Sequence, residues 1–180
     1  LFQVTLRIKV RSYIMMRHDF ILITEALKRL RSEKDGIIKR CLFYSAVALY
    51  GRSFTKSESG FSTLDRGVFN NATEFERTHM DLMDRRNKFV AHKERSPDEI
   101  AFAYLKLEID TSLISVQTIH GKRVSPTANQ INSYIKIVNY LHDHVMNRLQ
   151  ELADDVWKHL MKTYTPEQMS FMKIAGPTKK

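Results

Sequence analysis

The sequence predicts a mainly α protein: a helical bundle carrying one small antiparallel β-hairpin before a long last helix. Three observations predict it. Apolar residues recur at three- and four-residue intervals in several separate stretches. Only 6 Gly and 4 Pro punctuate the 180 residues. A near-heptad apolar stripe fills much of the last third. Hydrophobic residues at 43% and charged residues at 27% exclude wholesale disorder. At this length one domain, residues 1–180, should bury roughly 70% of the unfolded chain's surface. Its core is expected over about residues 11–163, with a short tail at 164–180.

The first helix is expected from about Arg11 to Lys34, where Phe20, Ile23, Leu27 and Leu30 share one face. Gly36 interrupts it. Ile37–Tyr50 is apolar nearly all round, which predicts a central core helix ended by Gly51. A polar loop rich in Ser and Thr follows to Gly67. The third helix is expected from about Thr73 to His92. Glu74 and Glu76 suit its first turn, and Phe75, Met80, Leu82, Met83, Phe89 and Val90 supply an apolar face. Ser96-Pro97 breaks it. Partial alternation through Ile100–Ile109 and Leu113–Ile119, closed by His120-Gly121, predicts the hairpin at about 100–120. Pro126 stands at an N1-like position behind Ser125. The last helix should then run from Ile131 to Leu160, about 30 residues, with Val138, Leu141, Val145, Leu149, Leu152, Val156 and Leu160 in its stripe. Such a length packs either along the whole bundle or partly against another subunit.

The formal net charge is +9, which suits anionic partners such as RNA, DNA or an acidic surface. It is unevenly placed. Residues 1–40 hold 10 basic and 4 acidic side chains, whereas residues 73–100 hold 6 and 7. Cys41 is the only cysteine, so a disulfide framework is excluded, and its apolar neighbours predict a buried, inert thiol. No apolar run approaches the roughly 20 residues that span a bilayer, and no secretory leader pattern is present. The expectation is a cytoplasmic protein without a membrane partner.

No metal site or cofactor is expected. His142 and His144 are two apart and point to different sides of a helix, and no HExxH occurs. Neither GxxxxGK[ST] nor GxGxxG is present, and no GxSxG frames the loop serines. One segment remains, Asp84-Arg85-Arg86-Asn87-Lys88-Phe89-Val90-Ala91-His92. A permanent cation, an amide and an imidazole within seven residues suit phosphodiester cleavage. Guanidinium binds phosphate oxygens and stabilises charge growing on them. Imidazole moves a proton near neutrality, and Asn can orient either partner. On an α-helix Arg86 and His92 stand about 120° apart and about 9 Å along the axis. One helix serves a single phosphate with both only if it ends near His92 or a second copy contributes. The same residues equally suit a solvated helix face, with His92 capping a C-terminus.

Arg86-Asn87-Lys88-Phe89-Val90-Ala91-His92 resembles the R-x(4–6)-H signature of the HEPN superfamily, the higher eukaryote and prokaryote nucleotide-binding domains. Ala46–Thr55, closing on Arg52-Ser53-Phe54-Thr55, looks like the helix end and turn of its abortive-infection and toxin-like branch. The similarity covers about residues 15–160. It implies a HEPN-like bundle that dimerises with both motifs in a shared cleft, a metal-independent endoribonuclease of phage defence or toxin–antitoxin systems. Arg86 would hold the scissile phosphate, His92 would act as general acid or base, and Asn87 would assist. Arg85, Arg52 and Lys88 are the candidate substrate contacts. RNA, a second copy and a cognate antitoxin or partner protein are the implied partners. Nucleotidylated members carry Tyr two residues after the His; here that residue is Glu94. An inactive nucleotide-binding or protein-interaction module is the alternative function. A DNA reader is disfavoured, because no helix-turn-helix spacing is evident.

Overall fold

Alternating steps of four and three residues place Met16, Phe20, Ile23, Leu27 and Leu30 on one stripe, and each is at most 5% exposed. This stripe belongs to α1 (Phe2–Ser32), the first of four α-helices among the described residues, followed by α2 (Gly36–Arg52), α3 (Glu76–Arg85) and α4 (Ala128–Thr163). The structure is a computed structural model describing residues 2–56, 60–91, 99–108, 113–122, 125–165 and 168, with backbone alone for 2–5, 89–91, 99–108 and 113–122. The described chain is mainly helical. Glu99–Glu108 (β1) and Leu113–Lys122 (β2) pair antiparallel, with Glu99 opposite Lys122 and Glu108 opposite Leu113.

The α4 partner of the α1 stripe has the same spacing: Ile131, Tyr134, Val138, Leu141 and Val145 are all buried. Thr24 hydrogen-bonds Asn139, and Tyr13 lies beside Arg148, so the two helices run antiparallel. Two 3–4 stripes facing each other make a coiled-coil-like seam. Each buried aliphatic or aromatic side chain there contributes roughly 1.5–3 kcal/mol of burial. That outweighs any single cap, which is worth about 1 kcal/mol. Packing, not capping, therefore holds α1 to α4.

The bounds of the elements correct the sequence expectations in instructive ways. The first helix begins at Phe2, nine residues before the amphipathic pattern starts. It ends at Ser32, and Asp35 caps α2 by accepting from the Ile37 and Ile38 amides at 2.7 and 3.1 Å. Gly36 thus opens α2. Only the C-terminal half of α2 is core. Phe43, Ala46, Val47 and Tyr50 are buried, whereas Ile37 is 73% exposed and Cys41 is exposed rather than an interior thiol. Thr127, not Pro126, begins α4: it forms a capping box with Gln130. Tyr164 closes that helix.

The α4 stripe divides. Through Val145 it is buried in the core, while farther on Leu149, Leu152, Val156 and Leu160 are only partly buried, and Trp157 and Met161, off the stripe, are largely exposed. Among the described residues, no helix is long and apolar enough to cross a membrane.

Candidate active site

The segment singled out in the sequence begins at the end of α3. That helix is shorter than expected. A 3-10 turn at Thr73–Phe75 precedes it, and Arg86–Ala91 continues it as a π-helix. Phe75 is partly buried and Leu82 is buried in the core, but Met80 faces outward and is no part of the apolar face. The α-helical arithmetic separating Arg86 from His92 does not hold across a π-helical turn, whose bonds run i to i+5. His92 itself, like residues 93–98, lies outside the described residues.

Three of the four candidate cations are engaged by carboxylates. Arg85, with a side chain only 14% exposed, donates Nε–H to Asp81 Oδ1 at 3.0 Å and lies over the Phe43 ring at 5.6 Å. Tyr134 donates to the other Asp81 oxygen. Burial and the Asp81 hydrogen bond push the Tyr134 phenol well above its ordinary pKa. This Arg85–Asp81–Tyr134 chain ties α3 to α4, with Phe43 of α2 against it. Lys88 donates to Asp84 at 2.8 Å. Arg52 grips the buried Asp19 of α1 through both Nε and Nη2.

Arg86 differs. Its Nη1 donates to the exposed Asn87 Oδ1 at 3.0 Å, an uncharged partner. Among the described residues, no carboxylate pairs with its guanidinium. Its aliphatic stem lies on Gly51, where an added Cβ would stand 2.6 Å from Arg86 Cγ and 3.1 Å from Cδ. Gly51 therefore does not end α2. It is a buried position inside the helix, and its missing side chain leaves room for Arg86. The arrangement holds a guanidinium that, among the described residues, bonds only a neutral amide, at a helix end. Such a group binds phosphate or carboxylate without first losing an ion pair.

Sequence reasoning passed over the residues behind this end of α3. His79 is 4% exposed, with Nδ1 2.8 Å from the Tyr50 hydroxyl, among the rings of Phe54 and Phe69. Burial, with Arg66 nearby, lowers its pKa to about 4. Burial pushes the Tyr50 phenol far above its ordinary value, so Tyr50 keeps its proton and donates it to Nδ1. The signal that was there to read is spacing. Phe75, His79 and Leu82 sit at helical intervals on the inward face, so His79 belongs to the core. Asp19 likewise is a carboxylate at helical spacing from the buried Met16 and Ile23, which marks a charge with a partner elsewhere.

Among the described residues, no group of three or more His, Cys, Asp or Glu is placed to hold a metal ion. No protein family, curated protein or solved structure matches the chain.

Proposed function

We propose that the chain is a metal-independent endoribonuclease, a HEPN-like bundle that works as a homodimer with its two Arg86–His92 motifs in one cleft. Arg86 carries this reading: it is a guanidinium with no carboxylate partner among the described residues, seated on a glycine and beside an amide. The β1–β2 ribbon is then an insertion before the last helix of that bundle. In the reaction, the RNA 2′-hydroxyl attacks the adjacent phosphorus, the bond to the 5′ oxygen breaks, and a 2′,3′-cyclic phosphate and a 5′-hydroxyl result. Imidazole at His92 takes the 2′-hydroxyl proton or protonates the leaving oxygen; two copies provide one of each. Arg86 stabilises charge on the non-bridging oxygens. Asn87 orients the guanidinium through the bond it accepts. The cationic outer surface of α1, with Arg7, Lys9, Arg11 and Arg17 all exposed, attracts the RNA backbone. A role in phage defence or as the toxin of a toxin–antitoxin pair, in the cytoplasm, follows from the same resemblance.

Purified protein incubated with RNA and EDTA is expected to yield fragments ending in cyclic phosphate. Intact RNA would rule the reading out. Gly51→Ala probes the geometry without removing a functional group. Its Cβ displaces Arg86, and cleavage should fall about tenfold or more. The folded state should change by about 1 kcal/mol at most, because the helix-propensity gain of about 1 kcal/mol offsets overpacking of similar size. Unchanged cleavage would show that the position of Arg86 is irrelevant.

The exposed Trp157 and Met161 on the far half of α4 favour one second reading, a non-catalytic interaction module. Partner binding that survives the double variant Arg86→Ala, His92→Ala, together with no cleavage by the parent, would establish it.

A further inference from the structure

Between the middle of α1 and the turn that follows α2 lies a cleft of about 260 Å³. Its apolar side includes Met16 and Phe61, its polar side Ser53 and Ser62, and the Asp19–Arg52 pair borders it. Ser53 is 2% exposed, and its Oγ has no hydrogen-bond partner among the described residues. Buried hydroxyls are ordinarily satisfied, so an orphan in the wall of a cleft marks where a ligand's polar atom belongs. The charge in the wall is already balanced: Arg52 and Asp19 neutralise each other, and among the described residues no other charged side chain lines the space. The cleft therefore suits an uncharged group with an apolar face and a hydrogen-bonding edge. Its volume, just below the usual range of small-molecule sites, fits a group of ring size.

We infer that this cleft takes a nucleobase, supplied either by a free nucleoside or by an RNA nucleotide beside the scissile phosphate. Ser53 Oγ bonds the base edge, while Phe61 and Met16 cover its face, as aromatic and apolar side chains do for unstacked bases. Its place in the chain supports the RNA source. Gly51 touches Arg86, and the next two residues, Arg52 and Ser53, line the cleft. A base held there lies on the α2 end that also supports the guanidinium. This RNA source rests on the nuclease reading; base binding itself does not.

The test has two arms on the full chain. Titration calorimetry with adenosine, cytidine, guanosine and uridine should show one bound at least fivefold more tightly than the rest. Ser53→Ala should weaken that binding about fivefold or more. Should Ser53→Ala not fold, Phe61→Ala at the half-buried rim should give the same loss. In the second arm, mapped RNA cleavage positions should favour that base beside the cut, and Ser53→Ala should erase the preference. Nucleoside binding without cleavage bias assigns the cleft to the free ligand. Nucleoside binding that depends on Ser53 in a chain that cuts no RNA supports the cleft and ends the nuclease reading. Absence of binding by all four at millimolar concentration, or binding indifferent to both substitutions, overturns the inference.

Discussion

Arg86→Ala is expected to lower RNA cleavage about 10²–10³-fold, the typical effect of deleting one charge-stabilising donor. His92→Ala should cost about 10²–10⁴-fold by removing the proton carrier. The neighbouring cations make the result diagnostic. Arg85→Ala removes its bond to Asp81, which Tyr134 also holds, and uncovers Phe43, so its main effect should be on stability, through a broken buried network. Lys88→Ala removes an i,i+4 pair with Asp84, worth a few tenths of a kcal/mol, and should change little. Initial rates and melting temperatures of the four variants therefore separate two meanings of a basic cluster. If the segment is merely a solvated face, all four cut RNA alike or none does. If Arg86 holds phosphate, its variant alone among the three cations loses cleavage while keeping the parent's melting temperature within a few degrees. Equal rates for Arg86→Ala and the parent would sink the proposal.

How far the sequence could be read depended on whether an element's identity lies in its own periodicity. The α1 and α4 stripes did, because four and three residue steps persist over several turns and each stripe meets its complement. The ends of those helices did not. Phe2–Val10 adds no stronger pattern, yet helix continues through it; Thr127 outcompetes Pro126 because Gln130 completes a reciprocal cap. The middle helix misled because composition is not burial. Ile37, Ile38 and Cys41 are apolar but precede the part of α2 that packs against other helices. At the candidate site, residue types were legible and partners were not. Nothing local distinguishes Arg86 from Arg85, since the difference is made by Asp81, Gly51 and Phe43, the last two more than thirty residues away. For the same reason Ser53 reads in the sequence only as a loop serine, and His79 does not stand out. Serine in a polar loop and histidine on a helix acquire meaning only from what surrounds them.

Folding stability is expected to fall as pH drops from about 6.5 to about 4, with His79 responsible for much of the loss. The direction follows from where the proton binds. In the unfolded chain the imidazole has its ordinary pKa of 6.5, whereas in the fold burial and Arg66 lower it to about 4. Between those values the unfolded state holds the extra proton and the folded state does not. The contribution is therefore fully present above about pH 6.5 and lost on acidification, at about 1.4 kcal/mol per pH unit and about 3 kcal/mol in all. The structural cause is specific: the Tyr50 hydroxyl donates to Nδ1, the Phe54 and Phe69 rings pack against the imidazole, and a protonated ring would lose that acceptor. His79→Phe should make the urea midpoint much less sensitive to pH over 4–7. It should also lower stability at pH 7 by about 1–3 kcal/mol, because the buried Tyr50 hydroxyl is left unpaired. Some slope should persist, since burial and Arg148 lower the His144 pKa as well. Parallel pH profiles for parent and variant would exclude the account. The same measurement bears on catalysis. An imidazole held neutral down to about pH 4 and bonded to Tyr50 gives a phosphate no cation near neutrality. Under the nuclease reading the proton-transfer role therefore falls to His92, and His79→Phe should leave the pH profile of cleavage unchanged wherever the variant is folded.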